Sequence, residues 1–224
     1  MAGGETERAT EDVNLRDKAY RAFTRRLLSE ALKPGQFVSQ RELVELTGFP
    51  LGAIRELIPR LEAEGLIRTI PQRGMQIAQV DLSLIQQAYQ FRLFIEREAI
   101  MLFAEAAPAP QLAQIRAGHE AILARAAAGV DAALIADAQR TDWSFHDLIV
   151  DSLGNAIISN SYRVNSIKIR LIRQALSRLA GDLVAPVMRD HLAILDALER
   201  RDPAAAAAAL SRHIESARLR ALGL

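Results

Sequence analysis

The spacing of apolar residues divides this 224-residue chain into two stretches of different character. Over residues 15–32, Ala19, Phe23, Leu27 and Leu28 recur at helical spacing, and Pro34 and Gly35 then bar the helix from continuing. Ser39-Gln-Arg-Glu42 has the form of a capping box, which predicts a second helix over 40–47 stopped by Gly48. A third helix is predicted over 51–64, with Ile54, Leu57, Ile58 and Leu61 on one face and Gly65 at its end. Residues 66–70 and 75–78 read instead as short strands around a Pro71-Gln-Arg-Gly74 turn. Three helices and a hairpin in that order predict a winged helix-turn-helix. Beyond Val80 the pattern is helical throughout. Breaks at Pro108/Pro110, Gly129, Gly154-Asn155, Gly181-Asp182 and Asp202-Pro203 give about six helices. The alanine run 204–209 is read as close helix packing rather than linker, since alanine is the strongest helix former. The expected fold class is therefore mainly α. A disordered tail over 1–14 precedes a winged helix-turn-helix over 15–79 and an all-α helical bundle over 80–224.

Composition narrows the chemistry. The chain holds no cysteine, so disulfides and thiolate metal sites are excluded and any metal must be held by nitrogen and oxygen. No run of eighteen apolar residues occurs and the N-terminus lacks an apolar leader core, so no membrane partner is expected and a cytoplasmic protein is the simplest reading. The net charge is +1, but it is unevenly spread. Residues 15–80 carry 11 Lys and Arg against 7 Asp and Glu, whereas the remainder beyond Val80 balances at 16 each. The excess positive charge falls where contacts to phosphate would be needed.

In a winged helix the third helix enters the major groove and the wing follows the backbone. Arg41 on the second helix, Arg55 on the third and Arg73 at the wing tip are the candidate DNA contacts, beside Gly74 at the end of the hairpin turn. Any one of these arginines alone is more often a solvated surface residue. Their joint placement favours DNA. Only four histidines occur, and three lie on apolar helical stripes. Asp142 and His146 stand one turn apart on a stripe with Ile135, Ala138 and Ile149. His191 follows Val184, Val187 and Met188, and His213 sits with Ala206, Leu210 and Ala217. A single histidine so placed is usually a satisfied core residue. Three together with one aspartate form a nitrogen and oxygen set suited to a divalent metal: zinc first, nickel or manganese otherwise. His119, beside Gly118, reads as an exposed residue.

Leu32-Lys-Pro-Gly35, Ser39-Gln-Arg-Glu-Leu43, Ile54-Arg-Glu56, Leu61-Glu-Ala-Glu-Gly-Leu66 and Arg73-Gly74 together resemble the DNA-binding domain of the GntR family of bacterial regulators. The helical region, through Arg92-Leu-Phe-Ile-Glu96, Ala99, Asp142, His146, Gly154-Asn155, His191 and His213, resembles the FCD ligand-sensing domain of the FadR branch, in its six-helix VanR-like version. The third helix departs from the family's Ser-Arg-Thr-Pro-like opening. Pro50, Leu51, Gly52 and Ala53 stand there, and Pro59 lies inside the helix. The resemblance implies a homodimeric repressor on two-fold double-stranded operator DNA. It also implies a metal held by Asp142, His146, His191 and His213, and a small organic acid that completes its coordination. Arg92, on the stripe of Ile85, Ala88, Ile95 and Ala99, is the expected effector anchor unless it simply pairs with Glu96. Tyr162 and Asn165 are candidate effector contacts, or else structural hydrogen-bonders. Two other readings stay open: a purely structural metal in a dimerising domain, and a metal-dependent hydrolase fused to a winged helix. No acidic residue beyond the ligand set is expected in the core to serve the latter as a base.

Overall fold

The computed structural model describes residues 3–29, 31–176 and 181–224, with the backbone alone over 3–14. It divides into two compact units at Asp81/Leu82, two residues from the expected boundary. In the first unit, α1 (Gly3–Leu28) is followed by β1 (Phe37–Val38), α2 (Gln40–Thr47), α3 (Leu51–Ala63), β2 (Ile67–Ile70) and β3 (Gly74–Ile77). The sheet is antiparallel in the order β1-β3-β2, with Val38 opposite Met75 and Ile67 opposite Ile77. Phe23, Leu27, Leu32, Leu43, Ile54, Leu57, Leu61 and Leu66 are fully buried and form its core. The capping box is made: the Ser39 hydroxyl accepts from the Glu42 amide and the Glu42 carboxylate accepts from the Ser39 amide. Pro59 does not break α3. It lies on the exposed face, so the Arg55 carbonyl that loses a partner is left to water while Ile54, Leu57 and Leu61 hold the other face.

Three expectations for this unit change. The tail expected to be disordered is helical from Gly3 onward, and residues 1 and 2 lie outside the described residues. Glu, Arg and Ala make up much of 5–12 and are strong helix formers, so local propensity extends a helix that the apolar spacing alone starts at Leu15. The helix closes at Leu28, and Leu32 reaches the core from the following loop. The strand β1 was not expected, because two residues cannot display an alternation.

The second unit contains six helices among the described residues: α4 (Leu82–Ala106), α5 (Ala109–Ala128), α6 (Ala132–Asp151), α7 (Ala156–Leu176), α8 (Gly181–Glu199) and α9 (Pro203–Ala221). The boundaries at Pro108, Gly129, Gly154-Asn155 and Asp202-Pro203 fall at expected breaks, whereas Gly181 and Asp182 are already helical and residues 177–180 before them lie outside the described residues. Asp131 and Asp202 cap α6 and α9 through Leu134 and Ala205 amides, and Pro203 takes the first position of α9. α9 lies along both α4 and α8, and Ala206, Ala207 and Ala209 of the alanine run are buried in that packing. Among the described residues, no helix is long and apolar enough to cross a membrane.

The burial pattern of α3 sets a contrast. Leu57→Ala is expected to destabilise the first unit by about 2–5 kcal/mol, since it opens a cavity at a fully buried position. Arg55→Ala, two residues away on the exposed face, leaves the midpoint within about 0.5 kcal/mol. Urea denaturation of the two variants checks this; equal loss would contradict the orientation of α3.

Candidate functional site

The apolar stripes of α6, α8 and α9 each carry a polar side chain into the interior of the helical unit. Asp142 and His146, one turn apart on α6, share one face because their spacing is close to a full helical turn. His191 from α8 and His213 from α9 meet them. All four are buried, and their donor atoms lie within 4.8 Å of one another. His191 Nε2 is 3.2 Å from His213 Nε2 and 3.4 Å from Asp142 Oδ1, while His146 Nε2 is 3.8 Å from the same oxygen. The expected ligand set is thus brought together whole.

Partners behind the rings determine what they present. His146 Nδ1 donates to Glu96 Oε2 at 2.5 Å, and His213 Nδ1 donates to Asp190 Oδ2 at 3.3 Å. A neutral imidazole whose Nδ1 carries the proton offers a bare lone pair at Nε2. His146 Nε2 is fully buried and has no hydrogen-bond partner. Buried nitrogen lone pairs facing one another across 3.2 Å repel unless an electrophile lies between them, so this donor set fits a divalent cation. Burial holds the His191 imidazole well below its ordinary pKa, helped by its histidine neighbours, and lowers that of His213 as well. Asp142 is also fully buried. Burial alone would raise its pKa, but Arg173, His146, His191 and Arg92 hold it well below the carboxylate range.

Several residues stand differently from expectation. His119 is not exposed but 1% accessible, with Nε2 3.0 Å from His191 Nδ1. Its burial follows from the Leu112, Ile115, His119, Ile122 spacing on α5, a three-four-three stripe that points to the α5–α8 interface. Glu96 was expected at most as a helix partner of Arg92, and no extra acid was expected in the core. It is instead completely buried. Arg92 Nε donates to it at 2.7 Å and the Tyr162 hydroxyl at 2.6 Å. Although burial pushes the Glu96 pKa up, Arg92 and His146 bring it down to about 2, so it is fully ionised and committed to three donors.

Two cavities flank Arg92. One is bordered by Tyr89, Arg92, Asp142, Arg173, His213 and Arg220, and the Tyr89 hydroxyl there is buried without a partner. The other is bordered by Arg92, Trp143, His146, Tyr162, Asn165 and Arg170. Tyr162 and Asn165 therefore face the second cavity and not the first. Both already have protein partners, Glu96 for Tyr162 and the Ala88 carbonyl for Asn165 at 3.0 Å. Sequence reasoning did not single out Tyr89, Arg173 or Arg220. Cationic side chains inside a helical stripe were the signal available for Arg173.

In the first unit the expected DNA contacts are exposed. Arg55 on α3 donates to Gln40 Oε1 of α2 at 3.2 Å, and Arg41 pairs with Glu45 at 3.4 Å. The Arg73 guanidinium stacks 4.4 Å over the Phe37 ring, which holds it at the hairpin. Gly74 has φ +91°, and a Cβ there would lie 3.1 Å from the Val38 carbonyl oxygen, so the turn requires glycine. Pro50 caps α3 without a side-chain hydrogen bond, and Leu51 is 41% exposed on its first turn.

Comparison with known proteins agrees with both halves. Residues 87–216 match the family described as the FCD domain, and residues 15–77 match bacterial regulatory proteins of the gntR family. The chain belongs to the GntR-family regulators that carry an FCD domain. It is 23% identical over 210 residues to the HTH-type transcriptional repressor RspR of Escherichia coli, covering 92% of this chain and 87% of that one. It is 23% identical over 188 residues to the HTH-type transcriptional regulator YdhC of Bacillus subtilis, covering 84% and 82%. A GntR transcriptional regulator from Rhodococcus sp. RHA1 shares the fold with a TM-score of 0.73 at 18% identity, over 92% of this chain and 98% of that one. The GntR/FCD protein is a transcriptional regulator and not an enzyme, which removes the hydrolase alternative.

Acid sensitivity follows from the buried imidazoles. His119, His191 and His213 all have lowered pKa values, with burial as the leading cause, whereas in the unfolded chain they titrate near 6.5. Below about pH 6.5 the unfolded chain takes up protons that the folded one does not, so stability falls as pH falls. The depressed Glu96 adds a further loss between about pH 4.5 and its folded value of about 2. Thermal melts of metal-free protein at pH 7.5, 6.5 and 5.5 should show the midpoint dropping mainly over the last step. A flat profile would mean these rings are not held neutral.

Proposed function

We propose that this GntR/FCD regulator is a cytoplasmic homodimeric repressor of double-stranded operator DNA, controlled by a small organic acid bound beside a divalent metal in its helical unit. The observation that carries the proposal is the convergence of the Asp142 carboxylate and the Nε2 atoms of His146, His191 and His213 at the edge of a cavity rich in arginine. These four residues would hold the cation, with zinc the first candidate and nickel or manganese next for a set of three imidazoles and one carboxylate. When bound, the metal supplies a Lewis-acid position that a carboxylate oxygen can occupy.

The residues of this chain would do the rest. Asp142 and His213 border the same cavity as Arg92, Arg173 and Arg220. An anionic group entering it meets buried or half-buried guanidinium groups that pair well with a carboxylate. Tyr89 offers an unpartnered hydroxyl on the same wall. Arg92 keeps its expected role only in part, because its Nε is given to Glu96. Tyr162 and Asn165 fit a supporting role better than direct contact with an acid at the metal, since each is spent on a protein partner. In the first unit, Arg55 and Arg41 would meet the operator's major groove and Arg73 its backbone, with Gly74 shaping the wing.

Two measurements test this. Thermal melting of the full chain should show a lower midpoint with chelator and recovery on adding zinc, nickel or manganese. A library of small organic acids should then contain one that raises the midpoint of metal-loaded wild type by the equivalent of about 2.7 kcal/mol at a hundredfold excess over its Kd. Arg173→Ala should abolish that increment while leaving metal-dependent stabilisation. If metal stabilises but no acid does, the metal is structural and the sensing reading fails.

For DNA, a fragment from upstream of the protein's own coding sequence should be retarded by the wild type. Arg55→Ala should cost about 1–3 kcal/mol and relax sequence preference, whereas Arg73→Ala weakens all sequences alike and lowers the salt slope by about 1. Indistinguishable behaviour of the two variants would overturn the division of roles.

A further inference from the structure

We propose that His119 is a positioning residue for the metal centre, setting the tautomer of His191 so that a lone pair, and not a proton, faces Asp142 and His213. The proposal rests on the reading that Asp142, His146, His191 and His213 hold a cation.

The argument is a chain of donors and acceptors running from α5 into the centre. His119 Nδ1 lies 2.8 Å from the carbonyl oxygen of Ile115. A carbonyl can only accept, so this nitrogen carries the proton. A neutral imidazole has one proton, which leaves His119 Nε2 as an acceptor. Its neighbour at 3.0 Å is His191 Nδ1, which must therefore donate. His191 in turn has no proton left for Nε2, the atom 3.2 Å from His213 Nε2 and 3.4 Å from Asp142 Oδ1. One backbone carbonyl on α5 thus fixes the protonation of a ring on α8. Both rings are almost wholly out of water, and burial disfavours the alternative in which either carries two protons.

The chemical identity of the group at 119 matters for charge. His146 and His213 are oriented by carboxylates, Glu96 and Asp190. Glu96 is offset by Arg92. A carboxylate at position 119 would add a further buried negative charge behind the least accessible of the rings, His191. A neutral acceptor orients His191 equally well and leaves a cation balanced mainly by Asp142, and therefore attractive to an anionic ligand. The edge contact of His119 with Phe145, 5.3 Å between centroids, holds its ring plane in place for this.

The test compares His119→Phe, which keeps ring bulk but removes the acceptor, with His119→Gln, which keeps an acceptor oxygen. Zinc affinity of the full chain is measured by competition with a chromophoric chelator, and the His191 tautomer is read from long-range proton–nitrogen correlation spectra of chelator-treated protein. We expect His119→Phe to weaken zinc by about 10–100-fold and His119→Gln to recover most of that loss. Wild-type His191 should carry its proton on Nδ1 and lose that preference in His119→Phe. Wild-type zinc affinity in His119→Phe, or a His191 proton on Nε2 in the wild type, would overturn the proposal. So would equal losses in the two variants. Should His119→Phe fail to fold, His119→Gln and the wild-type spectrum still decide. Failure of the wild type to bind zinc, nickel or manganese would refute the metal centre itself. The tautomer spectrum distinguishes that outcome from failure of the His119 assignment.

Discussion

The carboxylate of Glu96 lies wholly out of water at the middle of the helical unit, and much of the surrounding order follows from satisfying it. An isolated buried charge of this kind costs several kcal/mol, so it survives only where donors surround it. Arg92 comes from its own helix one turn earlier, Tyr162 from α7 and His146 from α6. Three helices are fixed to one another by one acid. Removal of Arg92 leaves an uncompensated buried charge and costs far more than the net worth of the pair, while removal of Tyr162 or His146 leaves a buried carboxylate oxygen short of a donor. The same carboxylate orients the His146 ring. The arrangement that makes the bundle specific therefore also points one nitrogen of the candidate centre.

That dual role explains how a polar cluster persists inside an apolar bundle. The helical stripes that carry the centre continue in Ala138, Ile149, Val187, Met188, Ile194 and Leu210, all buried. Each polar atom in it has a partner on its outer side: Glu96 behind His146, His119 behind His191, Asp190 behind His213 and Arg173 beside Asp142. What lacks partners is the inner side, where the three Nε2 atoms and a carboxylate oxygen converge. A cluster satisfied outward and bare inward has little rationale as simple core packing, because bare lone pairs in contact destabilise. It has a clear one as a socket for a positive ion.

Much of this was legible before any coordinates. The helix ends were marked by Gly and Pro and by Asp at N-caps, whose local rules depend little on tertiary context, and these hold at Pro108, Gly129, Asp131, Gly154 and Asp202-Pro203. Asp142 and His146 were legible because four-residue spacing fixes a shared face whatever the fold. His119 and Glu96 were missed for a different reason. Each lies on a regular stripe, Leu112-Ile115-His119-Ile122 and Tyr89-Arg92-Glu96-Ala99, yet a polar residue on such a stripe is conventionally assigned to solvent. Only the partner helix decides. For His119 that partner is α8, more than sixty residues away in sequence, and the local stripe marks a covered face without saying which helix covers it. The strand β1 escaped because two residues carry no period. The start of α1 was misplaced because the apolar pattern fades where propensity alone sustains the helix.

The two units divide the proposed work, and linkage constrains how they cooperate. If an acid at the centre changes operator affinity by some factor, operator DNA must change acid affinity by the same factor. On the proposed reading an acid would enter where Arg173 is held by Asp142 and Arg92 by Glu96, so much would reorganise when an anion arrives, since each guanidinium would trade one carboxylate partner for another. Arg173 is the natural point of exchange. It is half-buried, pairs with Asp142 on the oxygen turned away from the histidines, and borders the cavity an acid would enter. An incoming carboxylate that draws Arg173 away frees the second oxygen of Asp142 for the metal, so effector and metal would each strengthen the binding of the other. Positive coupling of that kind needs no contact between effector and DNA. It asks only that the helical unit have two arrangements that the acid distinguishes.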